Sequence, residues 1–100
     1  MSYRDEIITK IQHQYPHLVE KYGVKRIGLF GSLARREDTP ASDIDLVVEF
    51  TTPLGFGFMG FVEEMEKLCG RRVDVLTPDG IRNIRVKDVA SAIEKDIVYV

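Results

Sequence analysis

Two apolar runs, VKRIGLFG (24–31) and DIDLVVEF (43–50), constrain this chain more than any other part of it. Val24, Ile27, Leu29 and Phe30 fill the first run, which ends at a glycine and predicts a largely buried strand. The second is β-branched and apolar after its acidic start, and predicts a central, buried strand. The segment between them is polar. SLARRED has the pattern of a short helix opened by Ser32, and in DTPAS the residues Asp38, Thr39, Pro40 and Ser42 all favour a turn. A Gly-Ser step therefore follows one strand, and an Asp-x-Asp step opens the next.

The rest of the chain supplies elements to pack around these strands. Ile7, Ile8, Ile11, Tyr15, Leu18, Val19 and Tyr22 recur at helical spacing over residues 3–22. Pro16 predicts a helix ending near Tyr15 and a short second turn that stops at Gly23. TTPLGFG reads as a loop. Phe58, Phe61, Val62, Met65 and Leu68 then predict an amphipathic helix over 57–69, stopped by Gly70. RRVDVLT (71–77) predicts a third strand and PDG a turn. Residues 81–95 predict a helix with Ile84, Val86, Val89, Ala90 and Ile93 facing the core, and IVYV a final strand or extended tail. The expected fold is α/β (α+β): one domain over residues 1–100, with helices in two or three layers around a small mixed sheet. One hundred residues suffice for a single core, since a chain of this size buries roughly 60–70% of its unfolded surface.

Charge and cysteine content exclude several functions. With 14 basic and 16 acidic residues the formal net charge is −2. A non-specific nucleic-acid binder needs a basic excess to displace counterions, so direct nucleic-acid binding is not expected. Cys69 is the single cysteine, which rules out an intrachain disulfide and a multi-cysteine metal site. MSYRDEIITK lacks the apolar stretch of a signal peptide, and no apolar run approaches the ~20 residues that span a bilayer. A cytoplasmic location without membrane attachment is expected.

Asp43 and Asp45 stand at i and i+2 of a strand, so their side chains project from one face about 6–7 Å apart. Two ionised carboxylates at that spacing repel, and a hard divalent cation such as Mg²⁺ turns the repulsion into coordination while keeping positions open for phosphate oxygens and water. Alone, an Asp-x-Asp is more often a solvent-facing strand end. Gly31 lets a phosphate approach the backbone, the amides of a following helix attract anions, and the Ser32 hydroxyl adds a donor. Alone, a Gly-Ser is more often a turn with a capping serine. Asp74 is a charged residue among apolar neighbours in a predicted strand. Beside DIDLVV it would complete a three-carboxylate site for two metals ~3.5–4 Å apart; otherwise it is an edge aspartate paired with Arg71 or Arg72.

Gly-Ser, ten residues, then Asp-x-Asp is far more specific than its parts. The stretch GLFGSLARREDTPASDIDLVVEF resembles the signature of the DNA polymerase β-like nucleotidyltransferase superfamily, and in particular its minimal (MNT) domains. The resemblance carries motifs over residues 24–77. It implies that Gly31 and Ser32 hold nucleotide phosphates, that Asp43 and Asp45 bind Mg²⁺, and that Asp74 is the third catalytic carboxylate. Arg35, which follows the Gly-Ser step, is placed to reach the triphosphate or a partner, or else lies on a solvated helix face. It also implies a nucleoside monophosphate, AMP from ATP, passed to a protein acceptor. The expected partner is a HEPN-type ribonuclease toxin, neutralised by adenylylation within a toxin–antitoxin pair. The alternatives are a non-catalytic module that occludes the toxin, and a transferase acting on RNA or a small molecule. One position departs from the family: Arg36 stands where a glycine is common, adding a charge and a side chain while leaving the acids untouched.

Of the remaining residues, Glu37 has an arginine within reach for a salt bridge. Arg71 and Arg72 flank the acidic cluster without touching substrate, and Arg82, Arg85 and Lys87 form a basic surface. His13 and His17 have no assigned role. LGFGFMGF is unusually apolar for a loop-to-helix entry, which suits a partner surface.

Overall fold

The computed structural model of the chain describes residues 3–37, 39, 42–84, 91, 93–95 and 97–100. Its first element, α1 (Tyr3–Tyr22), is continuous, where Pro16 predicts a break. Proline removes one helical N–H, but the Gln12 carbonyl that would accept from it lies on an exposed stretch, open to solvent. Ile11 and Leu18 are buried on either side of the proline, and the Tyr15 hydroxyl donates to the Lys25 carbonyl at 2.7 Å. That packing outweighs the ~3 kcal/mol a mid-helix proline costs.

Then follow β1 (Val24–Phe30), α2 (Gly31–Ala34), β2 (Ile44–Phe50), α3 (Gly57–Cys69), β3 (Val73–Leu76), α4 (Pro78–Arg82) and β4 (Val98–Tyr99). The strands form one mixed sheet in the order β3-β2-β1-β4. β1 runs antiparallel to both β2 and β4, and β2 runs parallel to β3. A parallel pair needs a crossover, and α3 supplies it.

Strand alternation sorts side chains onto two faces. Ile27, Leu29, Ile44, Leu46, Val48 and Val73 join Ile7, Ile11 and Leu18 of α1 and Phe61, Met65 and Cys69 of α3 in the main core. Phe61 meets both Tyr22 and Phe50 edge to face at 5.2 Å between ring centres. Burial pushes the Cys69 thiol up to about 11, which leaves it without the thiolate that reactivity requires. The Glu64 carboxylate bridges the two helices, 3.1 Å from Nε2 of His17 and 3.6 Å from Nζ of Lys21. The opposite face carries a smaller cluster of Phe30, Val47 and Ile81, with Leu76, Ile93 and Ile97 against it.

Three predicted elements differ in extent. PDG is the first turn of α4: the Gly80 amide donates to the Thr77 hydroxyl at 3.1 Å, with Pro78 at the first helical position. Threonine as cap and proline behind it form a helix start, which outweighs the turn preference of Pro-Asp-Gly. The helix predicted for 81–95 is interrupted, because α4 stops at Arg82 and Ile84 is not helical. Residues 91 and 93–95 are helical, whereas Arg85, Val86, Lys87, Val89 and Ala90 lie outside the described residues. Asp38 and Pro40 of the predicted turn also lie outside them. IVYV ends as a strand, with Val98 and Tyr99 paired to Leu29 and Gly28.

Phe61 is core, but Phe56 is fully exposed and Met59 largely so, just beyond the C-terminal end of β2. Arg82 pairs with Asp79. Among the described residues no helix is long and apolar enough to cross a membrane.

Candidate active site

The site lies where β1 ends and β2 begins, on the sheet face turned away from α1 and α3. Ile44, Leu46 and Val48 point into the main core, so Asp45 between them points out of the other face. Val73 of β3 does the same for Asp74. Asp45 and Asp74 are register partners in the parallel β2–β3 pair, which sets their side chains side by side. Neighbouring strands stand ~4.8 Å apart, so the two carboxylates are close without covalent constraint. Asp43 precedes β2 by one residue, two positions before Asp45.

The charge state of Asp45 reports this convergence. Burial raises its carboxyl pKa above the ordinary value; Asp74 and then Asp43 raise it further, and the Arg35 guanidinium opposes them. Asp74 is exposed and has no ion pair among the described residues, so the pairing with Arg71 or Arg72 that would make it structural is not formed. Arg35 donates from Nε to Glu37 at 3.1 Å.

Gly31 faces this group. Its φ is +73°, and a Cβ built there would clash with Oδ2 of Asp45 and lie 3.2 Å from its Cγ. The Asp45 carboxylate therefore fills the space that a side chain at residue 31 would take. α2 begins at Gly31 itself, with Phe30 at the cap position and no side-chain cap bond. Ser32 is inside the first turn and does not cap it, contrary to the reading in which it opens the helix, because the strand runs straight into the turn. One turn has little macrodipole, so any attraction for an anion rests on its unpartnered first amides.

The turn ends with a substitution of its own. Glu37 N–H donates to Ser32 O at 2.8 Å and Arg36 N–H to Leu33 O at 3.1 Å, the paired bonds of a Schellman cap. The residue at its left-handed position is Arg36, with φ +61°. The place usually held by glycine keeps the glycine conformation with arginine in it. Arg36→Gly should stabilise the fold by about 1 kcal/mol, a few degrees in melting temperature by calorimetry. An unchanged or lower value would show that the arginine side chain compensates for the strain.

The donor set suits a hard divalent cation, since Asp43, Asp45 and Asp74 offer only carboxylate oxygens and the half-buried Asp45 is held against two like charges. Among the described residues no three acids, histidines or cysteines are already closed into a metal cluster, so binding would draw the side chains inward. Two further residues belong to the frame of the site: Arg71, which the sequence reading set beside the acidic cluster and which is bonded to the chain before Asp43, and Tyr3 beneath it, which that reading left out. They are remote in sequence from Asp43, and no spacing signals their contact.

The chain is similar to known proteins. The family model described as nucleotidyltransferase domain matches residues 7–100. A Methanocaldococcus jannaschii protein named as a protein adenylyltransferase is 44% identical over 86 residues, covering 83% of each chain. Protein adenylyltransferase MntA of Thermococcus cleftensis is 32% identical over 96% of this chain and 94% of its own. A solved minimal nucleotidyltransferase superposes with a TM-score of 0.69 at 25% identity, covering 98% of this chain and 95% of that one. A toxin–antitoxin structure with AMP-PNP shares the fold, with a TM-score of 0.62 at 18% identity over 96% of this chain and 70% of that one. Gly31 against Asp45, Asp45 beside Asp74, and a family match over nearly the whole chain lead to one assignment: the chain belongs to the nucleotidyltransferase domain family, as a minimal member.

Proposed function

We propose that this nucleotidyltransferase moves AMP from ATP to a hydroxyl of a HEPN-type toxin and thereby neutralises it as an antitoxin in the cytoplasm. The observation that carries the reading is the lateral pairing of Asp45 with Asp74 on the face where Gly31 opens the backbone. A repulsive, partly desolvated carboxylate pair has no use in plain binding, whereas phosphoryl chemistry needs such a group. The adenylyltransferase names of the relatives support AMP as the group moved and a protein as acceptor.

In the reaction the acceptor oxygen forms a bond to the α-phosphorus. The bond from that phosphorus to the α,β-bridging oxygen breaks, and pyrophosphate leaves with the electron pair. The acceptor proton passes to Asp74, the most exposed of the three acids, and from it to water. Gly31 and Ser32 grip the phosphate tail through backbone amides and the hydroxyl, and Arg35 adds positive charge beside it. Asp43, Asp45 and Asp74 would hold Mg²⁺, which supplies charge neutralisation and orientation of the phosphates. Positioning and charge stabilisation account for most of the rate.

The test incubates the protein with α-labelled ATP, Mg²⁺ and the toxin. Label should appear on the toxin, and the Asp43→Ala/Asp45→Ala double variant should transfer none and fail to neutralise. Equal neutralisation by the double variant without label would establish occlusion instead. Label on RNA or on a small molecule would redirect the acceptor assignment.

A further inference from the structure

Asp43 precedes the first paired residue of β2, so no strand pairing holds it, yet residues 71 and 72 anchor the chain on both sides of it. On the C-terminal side, the Ile44 amide donates to the Arg72 carbonyl at 2.9 Å. On the N-terminal side, Nη1 of Arg71 donates to the carbonyls of Thr39, at 3.1 Å, and Ser42, at 3.3 Å. One terminal guanidinium nitrogen carries two hydrogens, enough for both bonds. The two residues it holds are bonded to each other: the Ser42 amide donates to Thr39 O at 2.9 Å, and the Thr39 amide to the Ser42 hydroxyl at 2.8 Å.

The guanidinium is itself held. Its carbon lies 3.9 Å from the centre of the Tyr3 ring, and the Tyr3 hydroxyl donates to the Cys69 carbonyl at 3.0 Å. The first turn of α1 and the last of α3 thus fix a planar cation, and that cation holds Thr39 and Ser42, the latter one residue before Asp43. A lysine ammonium has hydrogens enough for both carbonyls but no plane to stack on the ring, so its nitrogen, on a flexible stem, is not held in one place against them.

We infer that Arg71, seated on Tyr3, is a positioning residue that sets the Asp43 carboxylate for cation and nucleotide. The inference rests on the proposed reading of the site. Without Arg71 the chain before Asp43 loses its tether, while the Ile44 anchor, β2 and the main core remain. Binding should therefore weaken more than folding does.

The experiment compares wild type with Arg71→Ala, Arg71→Lys and Tyr3→Ala. Mn²⁺ is titrated in the presence of a non-hydrolysable ATP analogue and followed by electron paramagnetic resonance. Melting temperature and amide hydrogen exchange are measured without cation. Arg71→Ala should raise the half-saturating Mn²⁺ about 10-fold, the usual effect of removing a group that orients a ligand. Arg71→Lys should fail to restore it, and Tyr3→Ala should shift it in the same direction. Exchange should speed up at the Ser42 amide, which donates to Thr39 O, and not in β1. If the alanine variant is too unstable to measure, the lysine variant carries the comparison. Unchanged Mn²⁺ half-saturation in variants of an active protein would overturn the inference and leave the active-site reading intact. Should wild type bind no Mn²⁺, the site reading falls, and unchanged exchange at Ser42 would then remove the tether as well.

Discussion

Asp45→Asn should lower kcat/KM for nucleotidyl transfer by at least about 10³-fold, or ~4 kcal/mol of transition-state stabilisation, and yet raise the melting temperature of the cation-free protein. The two effects share one cause. Asp45 is half-buried beside Asp74 and within the field of Asp43, and these surroundings raise its pKa above the ordinary carboxylate value. A carboxyl that binds its proton more tightly when folded than when unfolded destabilises the fold once ionised. The penalty is absent below the unfolded pKa, grows as pH rises through the folded pKa, and persists at neutral pH. Asparagine is nearly isosteric and cannot ionise, so it removes the penalty together with the metal-binding oxygen. Cation-free wild type should therefore gain stability relative to the variant as pH falls from 7 through the carboxylate range, and the gap should close. Calorimetry across that range, with transfer assays at saturating Mg²⁺, checks both halves. Full activity in the variant would remove Asp45 from the chemistry, and a lower melting temperature at neutral pH would contradict the electrostatic account.

Gly31→Ala should be nearly as damaging to activity and also destabilising. The left-handed φ of +73° disfavours any Cβ by roughly 1–2 kcal/mol. The new methyl would also clash with the Asp45 carboxylate oxygen and crowd its Cγ at 3.2 Å. Asp45 can yield only by rotating out of register with Asp74, or the turn by moving away from β2. Either way the phosphate-facing backbone and the acids separate. A loss of transfer of about 10²-fold or more, beyond what the fraction unfolded explains, is expected from misplacing reactive groups by about 1 Å. Chemical denaturation and steady-state kinetics on the same preparation separate the two effects. A stable variant with normal kinetics would show that Gly31 and Asp45 do not share one space during catalysis.

The candidate site was legible in the sequence because local chemistry set it. A glycine ending an apolar strand, and aspartates at the start of the next, keep their meaning in any context that pairs those strands. The crossover helix was equally legible, since apolar spacing over 57–69 and a stop at Gly70 need nothing from outside the segment. Pro16 and Thr77-Pro78-Asp79-Gly80 misled because local preference there met a stronger influence: core packing on both sides of the proline, and a threonine cap ahead of the turn residues.

By itself the sequence determined which residues alternate, which turns accept glycine and which acids stand two apart, all properties of a few neighbouring residues. Only the tertiary structure decided that Asp74 lies in register with Asp45, that Arg36 takes the left-handed place of a glycine, and that Arg71 reaches back to Thr39 and Ser42. The register and the reach of Arg71 depend on strand pairing and helix docking between segments about thirty residues apart. The conformation of Arg36 depends on where a one-turn helix is forced to stop between two strands. The sequence marks Asp74 and Arg36 as unusual for their places, but their register and conformation, and the reach of Arg71, follow from no short run of neighbours.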